Sequence, residues 1–416
     1  MPVVTAAPLS AGLTATARQI VDDVARAIVR VAPPFDGDLS VVTSLLTREP
    51  GLAVFYAYLD RVQPKLQWRR NGLRHLERAI ARVPEQSYKP FFSYGFSGTA
   101  WAVQHLTGWF VDAPDEMNAD IDDALATLVE EAPTLSYDLQ YGLVGFGIYA
   151  VERLPHPAAR PLLERIIERL GRTAEPRGGG LAWRTVNADW VVGQGVAERL
   201  AKGVYATDVF NGAAGVVGLL GAAIHHGIAV KRARRLLDGA LTWMWSTRRG
   251  GLFPAKRQLA WAQGSLGIAA VVFNAARAAR MKGWQEAALA VARQLADARG
   301  SIARLSSPAL ATGAAGAAHM FRRLHQATGD EQLGLAARRW TERLVRRRRA
   351  GRGRAGYNTM YIPKWHQTFL EDSKHPVGWV ELPGITNGVA GIGLVLLSVL
   401  SGHPPDWDRM LLLSYR

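Results

Sequence analysis

Cysteine is absent from the chain. That excludes disulfides, thiolate metal ligands and a cysteine nucleophile, and it fits a reducing, cytoplasmic setting. Long unbroken hydrophobic runs are missing too. The most apolar stretches, Gly212–Val230 and Gly384–Leu400, are broken by His225 and His226 and by Thr386 and Asn387. A membrane span wants roughly 20 uninterrupted apolar residues. Met1 to Asp23 lacks the basic cap and apolar run of a secretion signal. Acidic residues are the scarcer sign: 35 Asp and Glu face 50 Lys and Arg, a net charge of +15. No helix-turn-helix, zinc finger or aromatic RNA-reading motif accompanies that charge, which argues against nucleic acid as the partner. Metal-ligand spacings are equally absent. His225 and His226 would point about 100° apart on a helix, and His319 and His325 are too far apart in sequence to share an ion readily. No cofactor is expected.

What is present is an ordinary globular composition, 48% apolar and 20% charged, in a chain longer than one core normally supports unless it closes into a barrel or repeat. Self-similarity supplies the explanation. Two glycines three residues apart, followed by an apolar stretch, recur at Gly95/Gly98, Gly142/Gly145, Gly212/Gly215, Gly264/Gly267, Gly313/Gly316 and Gly388/Gly391. A degenerate copy keeps only Gly51. The second glycines are separated by 47, 47, 70, 52, 49 and 75 residues, and the shorter intervals hold two helices with their loops. The glycine-led segments are apolar nearly all round, as helices buried on every side are. The intervening Met117–Glu131, Ala158–Leu170, Lys231–Thr247, Trp284–Arg299 and Gln332–Arg346 carry one apolar face and read as outer helices.

Seven alternations predict a closed ring: one all-α domain, residues 1–416, with seven inner and seven outer helices. The first glycine of each pair is expected to permit a tight, even left-handed, turn. The second is expected to let neighbouring backbones approach. The two long intervals carry insertions, Arg172 to Val204 with a glycine triplet and Arg346 to Pro383 with an arginine run, and these read as specificity loops or as lids over the ring's end.

The glycine repeats, with Asp138 before the third copy and Asp406-Trp407 and Leu411-Leu412 near the end, resemble the lanthionine synthetase C-like proteins from about Ser44 onward. The resemblance implies an α/α toroid that matures ribosomally made peptides by adding a peptide thiol to a dehydroamino acid. It also implies zinc, held by a Trp-Cys-Tyr-Gly motif at the fifth repeat and a Cys-His-Gly motif at the sixth. This chain reads Trp261-Ala262-Gln263-Gly264 and Ala311-Thr312-Gly313 there, and Asn211-Gly212 where the fourth repeat has His-Gly. The family's arginine ahead of the first ligand falls on Gln258, beside Arg257.

Zinc-independent chemistry is still conceivable. A thiol with pKa near 8.5 needs only about 1.4 kcal/mol per unit of pKa lowering. Converging inner-helix N-termini, with Lys256 and Arg257 just ahead of one, are expected to offer N–H groups and positive charge to a thiolate and an enolate. The expected site is therefore Asp138, Asn211, Lys256, Arg257, Gln263 and Thr312 at the ring's mouth. Asp138, Asn211 and Thr312 could alternatively be helix caps, and Gln263 a polar filler. Tyr141, Trp261 and Arg346, Arg347, Arg348 and Arg349 are the candidate substrate-binding residues, although Trp261 and Trp101 could be core and the arginines a solvated loop. The expected partners are a dehydrated precursor peptide and a dehydratase. A non-catalytic scaffold is the rival reading. A toroidal glycosidase, drawing its carboxylates from Asp138, Asp189 and Asp208, is a remote one.

Overall fold

The computed structural model of the chain describes residues 9–29, 45–46, 48–86, 89–185, 203–302, 305–362 and 378–416. The glycine-led segments form α2 (Glu49–Val62), α4 (Phe96–Leu106), α6 (Leu143–Arg153), α8 (Ala213–His225), α10 (Ser265–Ala278), α12 (Ala314–Thr328) and α14 (Val389–Leu400). Each packs on the next, and α14 packs on α2 to close the ring. Around them lie α1 (Ala11–Ala27), α3 (Leu66–Ala81), α5 (Ala119–Glu131), α7 (Ala159–Thr173), α9 (Val230–Ser246), α11 (Lys282–Ala296) and α13 (Glu331–Arg346). Among the described residues, the expected α/α toroid of seven inner and seven outer helices is what forms.

The outer helices obey their apolar stripes. On α7, Leu162, Leu163, Ile166, Ile167 and Leu170 are all buried, each contributing roughly 1.5–3 kcal/mol, while Arg160, Glu164, Arg165, Glu168 and Arg172 face out. Ends follow local chemistry. The Asp330 carboxylate accepts from the amides of Gln332 (3.0 Å) and Leu333 (3.3 Å) to start α13. The seventh outer helix is α1, which rests on α14 and buries Ala17, Ile20, Val21 and Val24. The N-terminal segment thus completes the ring.

The paired glycines act differently from the expectation. The first glycines have extended φ values, from −113° at Gly264 to −151° at Gly95, so none is left-handed. What both glycines share is crowding by their own turn. A methyl at Gly51, Gly98, Gly145, Gly215, Gly267, Gly316 or Gly391 would lie closer than 3.0 Å to the carbonyl oxygen six residues earlier. The approach common to all of them is within each repeat, between helix start and preceding turn; at Gly98 and Gly145 the neighbouring repeat is as confining, since the methyl would also lie within 3.0 Å of Leu45 Cβ or Phe92 Cβ.

Each long interval carries a two-stranded antiparallel hairpin that periodicity did not reveal. In the first, β1 (Glu175–Arg177) pairs with β2 (Gly180–Ala182). Gly178 and Gly179 turn between them at φ 53° and 77°, the paired positive values of a type I′ turn. In the second, β3 (Met360–Ile362) pairs with β4 (Gly378–Val380). Among the described residues, no helix is long and apolar enough to cross a membrane.

The C-terminal segment 406–416 enters the ring's centre. Trp407 stacks on His319 at 4.7 Å between centroids. The carbonyls of Leu411 and Leu413 accept from Trp261 Nε1 (3.1 Å) and Asn274 Nδ2 (2.5 Å), and the Tyr415 hydroxyl donates to the Gly218 carbonyl (3.0 Å). Two buried ionic groups anchor it. Asp408 accepts from His319 Nε2 and pairs with Arg323 Nε, both at 2.9 Å. Arg409 binds both oxygens of Glu152, at 2.7 and 3.0 Å, beside His105. Burial alone would raise the Glu152 carboxyl, but His105 and Arg409 hold it down at about 2.

Candidate functional site

Every inner helix begins from the same tight turn. In five repeats the first helical amide bonds to the carbonyl seven residues back: Phe96 to Lys89, Leu143 to Ser136, Ala213 to Ala206, Ala314 to Ser307 and Val389 to Leu382. Those five helix starts are thereby closed. They contribute partial positive charge, but their leading N–H groups do not stand open to a substrate as expected. The N-cap residues are the glycines, without side-chain caps. Asn211 and Thr312 therefore do not cap their helices.

The turns are joined around the mouth by a backbone ladder. Its rungs are the residues two positions before each first-glycine position. Phe210 N donates to Ala262 O (3.2 Å), Ala262 N to Ala311 O (3.0 Å), Ala311 N to Thr386 O (2.7 Å) and Thr386 N to Leu46 O (2.9 Å). Ser93 N donates to Gln140 O (3.3 Å). Between the third and fourth repeats the link is made by side chains, Asn211 Nδ2 reaching Gln140 Oε1 at 3.4 Å. Residues distant in sequence are thus brought to one end of the ring.

Within this rim lie two aspartates in the same register, each four residues before its glycine. Asp138 Oδ1 accepts from the Tyr141 amide (2.7 Å), and its Oδ2 accepts from the Ser136 hydroxyl (2.6 Å). Asp208 Oδ1 accepts from the amides of Phe210 (3.0 Å) and Asn211 (2.8 Å). Neither carboxylate has an ion-pair partner among the described residues. Burial, helped by the charge of Asp208, raises Asp138 to about 6 against three opposing hydrogen bonds. Burial raises Asp208 as well. The phenol of Tyr137 is raised by burial and then by both aspartates, so the three groups share one electrostatic neighbourhood. A carboxyl held near neutrality can take up and return a proton at working pH.

The sequence profile of the lanthionine synthetase C-like proteins matches residues 43–412. The chain belongs to that family. The solved structure of nisin cyclase is similar in fold, with a TM-score of 0.71 at 16% identity, covering 95% of this chain and 97% of that one. No curated protein sequence matches. The family match leaves out α1, which the ring nevertheless uses.

The zinc that the family implies finds no donors here. Ala262 and Ala311 occupy the cysteine positions with methyl side chains, 6% and 4% exposed, and their amides and the carbonyls they meet serve the ladder. Thr312 stands where the histidine would be. Among the described residues, no group of three His, Cys, Asp or Glu side chains could hold a metal. These residues do not fit the ion.

The other expected site residues divide. Lys256, Arg257 and Gln263 are exposed on the turn before α10, and Thr312 is half-buried before α12. Tyr141 is half-buried, its ring 6.1 Å from Tyr94 and 5.4 Å from Phe91, and its hydroxyl accepts from Gln140 Nε2 (2.6 Å). Trp261 departs from the expectation of a substrate contact: it is fully buried, with its indole bonded to Leu411. Trp101 is core too. Asp189 lies outside the described residues. Sequence reasoning weighed Asp208 only for sugar chemistry. Its signal was there in the shared offset of Asp138 and Asp208 from Gly142 and Gly212.

Proposed function

We propose that this protein closes thioether rings in a dehydrated, ribosomally made peptide without zinc, in a reducing compartment where the peptide thiol stays free. The observation that carries the reading is the register-matched pair Asp138 and Asp208 at the mouth of a lanthionine synthetase C-like ring. Asp138 as carboxylate removes the thiol proton. The sulfur forms its bond to the β-carbon of the dehydroamino acid, the carbon–carbon π pair moves toward the carbonyl to give an enolate, and a carboxylic acid of the pair returns the proton to the α-carbon. No atom is gained or lost overall. With Asp138 at about 6 rather than 3.8, proton transfer from a thiol near 8.5 becomes easier by about 3 kcal/mol. Lys256 and Arg257 supply positive field for the enolate, and Gln263 and Thr312 complete the polar rim.

The test is a peptide carrying one cysteine and one dehydroalanine, followed by thiol alkylation and mass spectrometry. Asp138→Asn and Asp208→Asn are each expected to slow ring closure by about 100-fold. A second reading draws on the missing zinc donors at Ala262, Ala311 and Thr312: a scaffold that holds the precursor or a partner dehydratase. If wild-type protein leaves ring closure at the uncatalysed rate, that reading replaces the first.

A further inference from the structure

The arginine run at the end of α13 separates into two kinds of residue. Some hold the fold. Arg348 ion-pairs with Asp23 of α1, Arg354 Nη1 donates to the Ala27 carbonyl (2.7 Å), and Arg347 Nη1 donates to the Ser307 carbonyl (3.3 Å). Arg346 lies 3.5 Å from Glu342 on its own helix. Arg349 and Arg352 are exposed, and their guanidinium groups have no hydrogen bond or ion pair among the described residues.

These two, with Arg347, line a cavity of about 330 Å³ that also takes in Ser306, Asn358 and Trp379 and has no acidic side chain among the described residues of its wall. The loop presenting the arginines is tightly wound. Gly351, Gly353, Ala355 and Gly356 all have positive φ, and Arg349 N to Gly356 O (3.0 Å) and Arg354 N to Tyr357 O (2.9 Å) pin it. Trp379 offers an indole 42% exposed. The cavity lies at the mouth end, because Ser306 and Pro308 of its wall flank Ser307, whose carbonyl accepts from the first amide of α12.

We propose that this cavity binds an acidic segment of a peptide, carboxylates against Arg349 and Arg352 and an adjacent apolar side chain against Trp379. It thereby anchors the substrate at the same end of the ring as Asp138 and Asp208. The inference rests on the peptide-maturing reading for its biological sense. Its chemistry is independent of catalysis: guanidinium groups bind carboxylates bidentately, no acidic side chain among the described residues of the wall competes for them, and the volume lies within the range of built ligand sites.

The test uses the full chain and a fluorescein-labelled synthetic peptide of alternating Asp, Glu and Leu, with no Ser, Thr or Cys. Its Asn/Gln/Leu counterpart is the neutral comparison. Wild type is expected to bind the acidic peptide, more tightly at low salt, and the neutral one about tenfold more weakly. The double variant Arg349→Gln/Arg352→Gln should lose about tenfold in affinity and most of the salt dependence, with an unchanged thermal melt. Trp379→Ala should weaken the Leu peptide but not one with Ala in its place. Arg160→Gln, on the exposed face of α7 and outside the cavity, should change nothing. Equal binding of acidic and neutral peptides, or a double variant that binds like wild type, overturns the proposal. A single-stranded oligonucleotide that binds while the acidic peptide does not overturns it in favour of nucleic acid. Because the probe has no thiol or dehydroamino acid, failure here is distinct from failure of ring closure.

Discussion

The amide of Ala262 donates to the carbonyl of Ala311 at 3.0 Å, linking the two positions where zinc-binding relatives are expected to carry cysteines. Neither position carries a side-chain donor atom. Purified wild-type protein is therefore expected to carry less than one zinc per chain and to melt at the same temperature with and without chelator. The triple variant Ala262→Cys, Ala311→Cys, Thr312→His should bind close to one zinc, read by elemental analysis. A zinc-free triple variant would mean that the ladder fixes the backbone but not the side-chain directions a tetrahedral site demands.

Asp138 should leave a stability signature as well as a kinetic one. Its carboxyl is raised from 3.8 to about 6, chiefly by burial. The folded state thus holds the proton more tightly than the unfolded state, and the stability this confers is lost as pH rises through about 6. Asp138→Asn keeps the hydrogen-bond acceptor for the Tyr141 amide without the buried charge. Relative to wild type it should gain up to about 3 kcal/mol at pH 8, with the difference fading below about pH 4. Denaturant titrations at the two pH values check this. A loss of stability at both would make Asp138 a structural turn residue.

The ring was legible because glycine pairs and apolar stripes are local signals, repeated often enough to exclude chance. Trp261 became core, and the strands around Gly178 and Gly179 went unread, because tertiary contacts and a short hairpin leave no periodic trace. The role of α1 was hidden for a related reason, since its partner, α14, lies at the other end of the sequence. At the site, Asp138 was visible through resemblance. Asp208 needed the structure, because only the closed ring puts two turns so far apart in sequence into one field.

The central ionic pairs should govern acid stability. Glu152 is held at about 2, below the usual 4.5, by His105 and Arg409. Its contribution is present above about pH 4.5 and is lost as pH falls toward 2. Arg409→Gln leaves Glu152 buried with His105 alone, and breaking a buried pair costs about 3–5 kcal/mol. The variant should unfold at milder acid than wild type, followed by circular dichroism across the titration. An unchanged acid midpoint would show that the C-terminal segment is held by Trp407 and the leucines without help from its charges.

The second glycines offer a test of the fold's own logic, since two rules give opposite signs. Gly316 lies in the first turn of α12, where alanine normally stabilises a helix by about 0.5–1 kcal/mol. Its added methyl, however, would meet the Leu310 carbonyl oxygen closer than 3.0 Å, backbone against backbone. Relief requires moving the turn that carries Ala311 and the ladder rungs on either side. Overpacking of this kind typically costs 1–3 kcal/mol or more, so Gly316→Ala should lower the melting temperature by several degrees. Gly283, in the first turn of α11, has nothing within 4 Å of the same atom. Gly283→Ala should therefore gain the helix-propensity term and melt slightly higher. Calorimetry on the pair decides. If both alanines stabilise, the turn carbonyls are not what keeps glycine at the second position, and the repeat must be explained by contacts elsewhere on the helix.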